Sequence, residues 1–190
     1  MQYLDFATMK RNRLPLILIL SIASFAPVVL ASLAARFSFV QLGQASDHVV
    51  FARVIDALPS EWDPGHRRIF TTFRFKTLET IAGPVMTEFA ITQPGGVVGD
   101  IAQRTEGYPS FGIGEELMLF LADQGEAVRV VGLSQGVFTR SVLGGRAVIR
   151  QRIDGLQFLG DASAGKPLLM EHREALAQIR EVFARKGEPQ

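Results

Sequence analysis

Residues 115 to 123 read EELMLFLAD, and all five residues from Leu117 to Leu121 are apolar. A short apolar run of this kind fits a strand that is buried on both faces. The stretch IFTTFRFKTLET, residues 69 to 80, instead alternates apolar and polar side chains, which indicates a strand with one face in water. Both stretches therefore predict strands, one fully covered and one half-covered.

Further short strands are expected around these two. They lie over residues 47–58, 86–93, 127–133 and 136–142, and Gly and Pro are frequent between them. Short strands at such spacing favour an antiparallel sheet. The predicted fold is therefore mainly β, either an antiparallel OB-like or netrin-like barrel or a small sandwich, with a C-terminal α-helix.

Helical patterns occur only near the two ends of this region. Residues 39–46 are a short helical candidate, and apolar residues recur at roughly helical spacing from Leu168 to Arg185. We expect the second helix to lie across one open end of the barrel. The chain is thus divided into a β domain over residues 35–165 and a C-terminal helix and tail over residues 166–190.

The first 34 residues have the pattern of a secretory signal peptide. Lys10, Arg11 and Arg13 precede an apolar run from Leu14 to Leu30, and small residues follow it. Cleavage is expected after the sequence SLA that ends at Ala34, and the sequence VLA before it is a second option. An uncleaved membrane anchor is the alternative, because the run is close to the lower limit of about 17 residues for a membrane span.

This pattern predicts a secreted or periplasmic protein. Such a protein would touch a membrane only through its N-terminal segment, and only if that segment stays uncleaved. Translation is expected to start at Met1 or at Met9, which directly precedes the basic cluster.

The charge distribution argues against a nucleic-acid partner. The whole chain has a net charge of +1, and residues 1–34 hold three basic residues and one acid, so their removal leaves −1. Basic residues such as Arg150 and Arg152 are interleaved with acids and form no block. The electrostatic footprint of a nucleic-acid-binding protein is therefore missing.

The sequence predicts neither a metal site nor a cofactor. It contains no cysteine, so no disulfide and no thiolate ligand is available. The three histidines, His48, His66 and His172, are far apart in the sequence, and none has a spacing that zinc sites use. We expect His48 to be a packed or rim side chain and His66 to be a turn residue in water.

The segment GLSQG, residues 132 to 136, matches the G-x-S-x-G spacing of the nucleophile elbow in serine hydrolases. In that interpretation Ser134 is the nucleophile, Asp154 or Asp161 is the acid, and His172 is the base. This chain order, serine before acid before histidine, is the order that α/β-hydrolases use. The motif therefore gives one candidate function, a serine hydrolase or an enzyme accessory that uses Ser134.

The context of the motif favours a structural interpretation. A nucleophile elbow leads from a strand into a helix, whereas the residues after Gly136, VFTRSV, alternate like a strand. The same letters fit a hairpin in which the glycines permit the turn and Ser134 and Gln135 form the exposed tip. We therefore expect a protein without catalytic activity.

Five segments together resemble those of an uncharacterised group of secreted bacterial proteins. In order they are ASDHVVFARV, IFTTFRFKTLETIAG, TQPGGVVGD, GYPSFGIGEELMLFL and VVGLSQGVFTR. The group shares a PGG…G turn, a P-x-F-x-x-G-E-E segment and a GL-x-QG-x-F segment. The resemblance implies export, and the group brings no established activity.

The first part of this pattern is also similar to the netrin-like modules of metalloprotease inhibitors. The shared features are a pair like Ser46-Asp47 before a hydrophobic strand and a second strand that ends in a Gly turn. This resemblance implies an OB-type barrel. Because the chain lacks the N-terminal cysteine with which those inhibitors chelate zinc, their mode of inhibition does not carry over.

Two long loops are the candidate binding surface. They cover residues 92–100 (TQPGGVVGD) and residues 104–114 (RTEGYPSFGIG), and OB-type barrels bind through such loops and the adjoining strand face. The candidate ligand-binding residues are Pro94, Gly95, Gly96, Tyr108, Phe111, Ser134 and Gln135.

The expected partner of these loops is a protein, a peptide or a glycan, and the expected function is that of an exported, non-catalytic binding or interaction module of the cell envelope. A membrane-anchored envelope protein is a further alternative. In the structural alternative, Tyr108 and Phe111 tuck into the mouth of the barrel and the glycines only turn the chain.

Overall fold

The structure, a computed structural model, describes residues 32–153, 155–158 and 165–187. Most of the predicted signal peptide, residues 1–31, lies outside the described residues, as do Asp154 and Asp161 of the predicted triad.

The fold is mainly antiparallel β with a long helix near the C-terminus, which confirms the predicted fold class. The helices are α1 (Phe39–Gln44) and α2 (His172–Lys186). The strands are β1 (Ser32–Ala34), β2 (His48–Ala57), β3 (Glu61–Trp62), β4 (Ile69–Ala82), β5 (Glu88–Pro94), β6 (Gly96–Val98), β7 (Ile101–Gln103), β8 (Glu116–Gln124), β9 (Ala127–Val130), β10 (Val137–Leu143), β11 (Arg146–Gln151), β12 (Leu156–Phe158) and β13 (Leu169–Glu171).

Strand β8 lies at the centre of the main sheet. It pairs with β2 along one edge and with both β9 and β10 along the other, in each case antiparallel. Each residue from Leu117 to Leu121 is at most 1% exposed, and successive side chains point into two different apolar clusters. The prediction of a strand buried on both faces is confirmed.

The two apolar clusters cover opposite faces of the sheet. The cluster on one face includes residues from both helices, among them Phe39, Leu42 and Ile179. The cluster on the other face comes from strands and includes Phe75 and Ile91. Because burial of one large apolar side chain contributes roughly 1.5–3 kcal/mol, both faces add substantially to stability.

The main sheet curls without closing. Its hydrogen-bonded order is β13-β11-β10-β8-β2-β4-β3, with β5 paired to β4 and β9 paired to β8. Strands β5 and β9 lie near one another, but no backbone ladder joins them in the part of the chain that the structure describes. Of the two predicted architectures, the sandwich is therefore the one that the sheet follows, and a closed barrel is not formed.

Helix α2 covers one face of the sheet. The prediction that this helix lies across an open end of a barrel is therefore wrong. It packs against α1, β4, β11 and β13, and its Ala175 and Ile179 are buried in the helix-side cluster. It also begins later than predicted, at His172, because Leu169–Glu171 pairs with β11 as a short strand.

The segment GLSQG is not an exposed hairpin tip, and this prediction is wrong. The β8–β9 hairpin turns earlier, after Gln124, and Leu133–Gly136 forms a 3₁₀ turn between β9 and β10. Both of those strands pair with the same edge of β8, so the turn between them is held against the sheet. Ser134 and Gln135 are consequently 0% and 1% exposed.

We expect Gly136→Ala to destabilise the fold strongly. A Cβ atom at this position would overlap the carbonyl oxygen of Val131, and overpacking of this kind costs about 1–3 kcal/mol. The free energy of unfolding, measured by urea denaturation, should fall by about 2 kcal/mol or more.

The matched control is Gly165→Ala, because an added Cβ there meets no atom of the described residues within 4 Å. Its free energy of unfolding should stay within about 0.5 kcal/mol of that of the parent. Equal stability of the two variants would contradict the close backbone packing of the 3₁₀ turn.

Candidate functional site

Two neighbouring cavities open beside the two glycine-rich loops. Their volumes are about 280 Å³ and about 420 Å³. Four residues line both cavities, namely Gln93, Pro94, Tyr108 and Pro109. We define the cleft as these two cavities together, and the second cavity reaches across to β9 at Val130.

The structure brings most of the predicted binding residues together at this cleft. The first cavity is lined by five of the seven, which are Pro94, Gly95, Gly96, Tyr108 and Phe111. The other two, Ser134 and Gln135, are buried in the 3₁₀ turn and do not line either cavity. The volume of the second cavity lies near the low end of the usual range for ligand sites, and that of the first lies just below it.

Tyr108, the exposed tyrosine of the cleft, lies between two residues whose backbone carbonyls are hydrogen-bonded. The carbonyl oxygen of Gly107 accepts a hydrogen bond from the backbone N–H of Ser134 at 3.0 Å, and that of Pro109 accepts one from Nε2 of Gln93 at 2.5 Å. Gly107 and Pro109 are buried, whereas Tyr108 is 39% exposed. The chain therefore presents Tyr108 from a short, anchored stretch.

The remainder of the loop is anchored by side chains. Nη2 of Arg152 donates to Oγ of Ser110 at 3.1 Å, and the same guanidinium pairs with Glu115 at 3.4 Å. Phe111 packs edge to face against Phe73, with ring centroids 5.3 Å apart. Phe111 is thus half-buried between loop and strand, in contrast to the exposed Tyr108.

The PGG segment is held by a close approach to neighbouring strands. Thr71 Oγ1 donates to the carbonyl oxygen of Gly95 at 2.7 Å, so Ser60 Oγ, 2.8 Å away, must be the donor to Thr71. Gly96 has a φ of 141°, and a Cβ there would overlap both hydroxyl oxygens. Glycine is therefore required at Gly96 for packing, in addition to turning the chain.

Two glutamine amides at the first cavity are each fixed by one end only. Nε2 of Gln93 is bonded to Pro109, and Oε1 of Gln103 accepts from the backbone N–H of Ile69 at 2.6 Å. Because a carbonyl can only accept and an N–H can only donate, these contacts determine which way each amide points.

The opposite ends of the two amides remain available. Among the described residues, Oε1 of Gln93, Nε2 of Gln103 and the hydroxyl of Tyr108 have no hydrogen-bond partner, and neither of the two amide atoms is fully buried. The residues that line the first cavity therefore include a fixed acceptor, a fixed donor and a hydroxyl that have no partner within the described ranges.

Gln135 has a structural role that its sequence context did not reveal. Its Oε1 accepts from the N–H of Phe37 at 2.9 Å, and its Nε2 donates to the carbonyl of Ala35 at 3.0 Å. Its own carbonyl accepts from Nε2 of Gln151 at 2.8 Å. The buried side-chain amide of Gln135 thus ties the segment before α1 to the 3₁₀ turn.

The geometry around Ser134 does not support a nucleophile. The residue has no exposed surface, so a substrate could not reach its hydroxyl in this conformation. His172, the predicted base, begins α2 and lies near Arg140 and Glu79; its partial burial and then Arg140 lower its pKa, against the effect of Glu79.

The other histidines have structural surroundings. His48 is 5% exposed, with Nδ1 3.1 Å from the carbonyl oxygen of Pro84 and Nε2 2.9 Å from Asp123. His66 lies in a turn with positive φ and stacks on Trp62. Within the described ranges, no three His, Asp or Glu side chains form a group that could hold a metal ion.

Comparison with protein-family models, with curated proteins and with solved structures finds no match for this chain. None of the helices in the described part is both long enough and apolar enough to cross a membrane.

Three residues that build the cleft, Gln93, Gln103 and Pro109, are not among the predicted binding residues. Each acts through a partner distant in the chain or through its backbone carbonyl, so no local pattern marks it. The position of Gln93 next to the PGG segment was the one available signal.

The two glutamines provide a matched pair of substitutions. In Gln93→Glu a carboxylate oxygen replaces the amide nitrogen that faces the carbonyl of Pro109, and Gln93 is only 8% exposed. We expect a loss of about 2–3 kcal/mol in the free energy of unfolding at pH 7. Amide hydrogen exchange in residues 104–114 should become faster.

Gln103→Glu is the control, since a carboxylate oxygen still accepts from the N–H of Ile69. Its free energy of unfolding should lie within about 1 kcal/mol of the parent value. If both variants lost stability equally, the assigned amide orientations would be wrong.

Proposed function

We propose that this protein is an exported, non-catalytic binding module of the bacterial cell envelope, and that the cleft is its recognition surface. The observation that carries the proposal is the presentation of Tyr108, an exposed aromatic residue whose backbone lies between the hydrogen-bonded carbonyls of Gly107 and Pro109. Aromatic side chains supply much contact area with little conformational freedom to lose.

The anchoring of the loop supports binding over a merely structural loop. A loop that only connects two strands does not need an exposed ring between two anchors. Binding to a pre-organised surface avoids the entropic cost of ordering that surface, at about 0.5–1.5 kcal/mol for each side chain that is immobilised. The anchors at Ser110 and Gln93 reduce that cost for the whole loop.

The side chains of the cleft support recognition over catalysis. The first cavity is lined by amides, hydroxyls and aromatic rings, such as Gln93, Thr105 and Phe111. No described residue that lines it is a histidine, the side chain most often used as a general base. The complete burial of Ser134 also supports recognition over catalysis.

Export is supported by the sequence of the leader, with Lys10, Arg11 and Arg13 before the apolar run 14–30. The two predicted cleavage sites have different consequences for the fold. Strand β1 spans Ser32–Ala34 and pairs in parallel with β12. Cleavage after Ala31 keeps this strand, whereas cleavage after Ala34 removes it.

The proposal is tested by photo-crosslinking in the envelope of an expressing cell. A benzophenone amino acid replaces Arg104, which lines the first cavity and has a 79% exposed side chain, in one variant and Val85, which is 83% exposed, in the control. We expect adducts of higher mass from the Arg104 position, because it lies at the cleft and leaves Tyr108 in place, and few from Val85. Equal capture at both positions, or none, would overturn the cleft as recognition surface.

Labelling with a serine-reactive phosphonate tests the absence of catalysis. The buried hydroxyl of Ser134 should remain unlabelled in the folded protein. Stoichiometric labelling at Ser134 would favour the serine hydrolase instead.

The N-terminus of the protein isolated from the envelope tests export. We expect a chain that begins at Ser32 or Ala35, identified by intact mass and N-terminal sequencing. A retained leader in the membrane fraction would contradict the exported form and favour the anchored envelope protein.

A further inference from the structure

We propose that the first cavity of the cleft binds a neutral saccharide, with the amides of Gln93 and Gln103 recognising its hydroxyl groups and Tyr108 stacking on its ring. This inference rests on the proposed function, since it names the ligand of the same cleft. The inference is based on the side-chain amides of Gln93 and Gln103, each of which is held at one end and has no partner at the other among the described residues.

The two amides suit a group that both donates and accepts. Oε1 of Gln93 is an acceptor and Nε2 of Gln103 is a donor, and each is fixed by the hydrogen bond at the other end of its amide. A hydroxyl group has one proton to donate and lone pairs to accept. A saccharide offers several such groups around one ring, so it can satisfy both amides together.

The aromatic ring and the charges of the cavity fit the same ligand. Tyr108 offers an exposed ring beside the two amides, on a backbone that is anchored on both sides. The cationic side chain that lines this cavity, Arg104, is 79% exposed and lies 3.7 Å from Glu106. The charge at the rim is therefore partly balanced, and the fixed groups inside are neutral.

The strand next to the cavity disfavours the main competing ligand, an extended peptide added to the sheet edge. The N–H of Gly95 donates to the carbonyl of Ile69 at 2.8 Å, so the adjacent pair Pro94–Phe70 is a non-hydrogen-bonded pair. Pro94 thus faces the free edge of β5, where it has no N–H to donate. A peptide strand would lose a hydrogen bond at the position nearest the cleft.

The experiment uses a printed array of neutral and acidic bacterial oligosaccharides, followed by calorimetric titration of any oligosaccharide that is retained. The same titration is made with a ten-residue proline-rich peptide and a ten-residue β-strand-forming peptide. We expect a neutral oligosaccharide to bind and both peptides to give no heat.

Three variants locate the binding. Gln103→Glu keeps the bond to Ile69 but replaces the free donor by an acceptor, and we expect its affinity for the retained oligosaccharide to fall about ten-fold or more. Tyr108→Ala should weaken binding by a similar factor through lost stacking. Gln44→Glu, the same substitution on an exposed residue of α1, is the control and should bind like the parent.

Several outcomes overturn the saccharide inference. They are retention of acidic oligosaccharides alone, retention of none, or retention that Gln103→Glu and Tyr108→Ala leave unchanged. If one of these occurs while the photo-crosslinker at Arg104 still captures a protein or the peptides bind, the proposed binding function stands and its ligand is a peptide or protein. Failure of the crosslinker as well overturns both proposals.

Discussion

The structure depends on the complete removal of strand β8 from water. Its apolar run is covered by helices on one face and by other strands on the other, and both of its edges are paired. Because both faces and both edges of β8 are covered, the helices and strands that pack against it are held in fixed positions. The most consequential contact is the edge shared by β9 and β10, because the chain must turn between them without leaving the sheet.

That requirement explains the GLSQG segment. The turn lies against the carbonyl of Val131, where only glycine fits at Gly136, and its buried polar side chain, Gln135, must find partners. It finds them in the backbones of Ala35 and Phe37 and so anchors the start of the domain. The segment GLSQG matches the spacing of a nucleophile elbow, but close packing at Gly136 and the hydrogen bonds of Gln135 explain these residues.

The sequence predicts those features that depend on periodicity and misses those that depend on distant partners. The strands at β4 and β8 could be predicted because side-chain alternation, or its absence, reports burial directly. The burial of Ser134 could not, since it follows from which edge of β8 the next strand joins. The roles of Gln93 and Gln103 likewise depend on partners 16 and 34 residues away along the chain.

The same edge of β8 also determines where the cleft lies. The 3₁₀ turn on that edge donates from Ser134 to Gly107, the residue directly before Tyr108. A displacement of the turn would move the tyrosine, whereas the tyrosine itself contributes little to the core because it is exposed. Stability and the proposed recognition are thus separable at Tyr108, although both depend on the same strands. Tyr108 is held in position by the fold but adds little to its stability. This combination is expected for an aromatic residue on a ligand-binding surface.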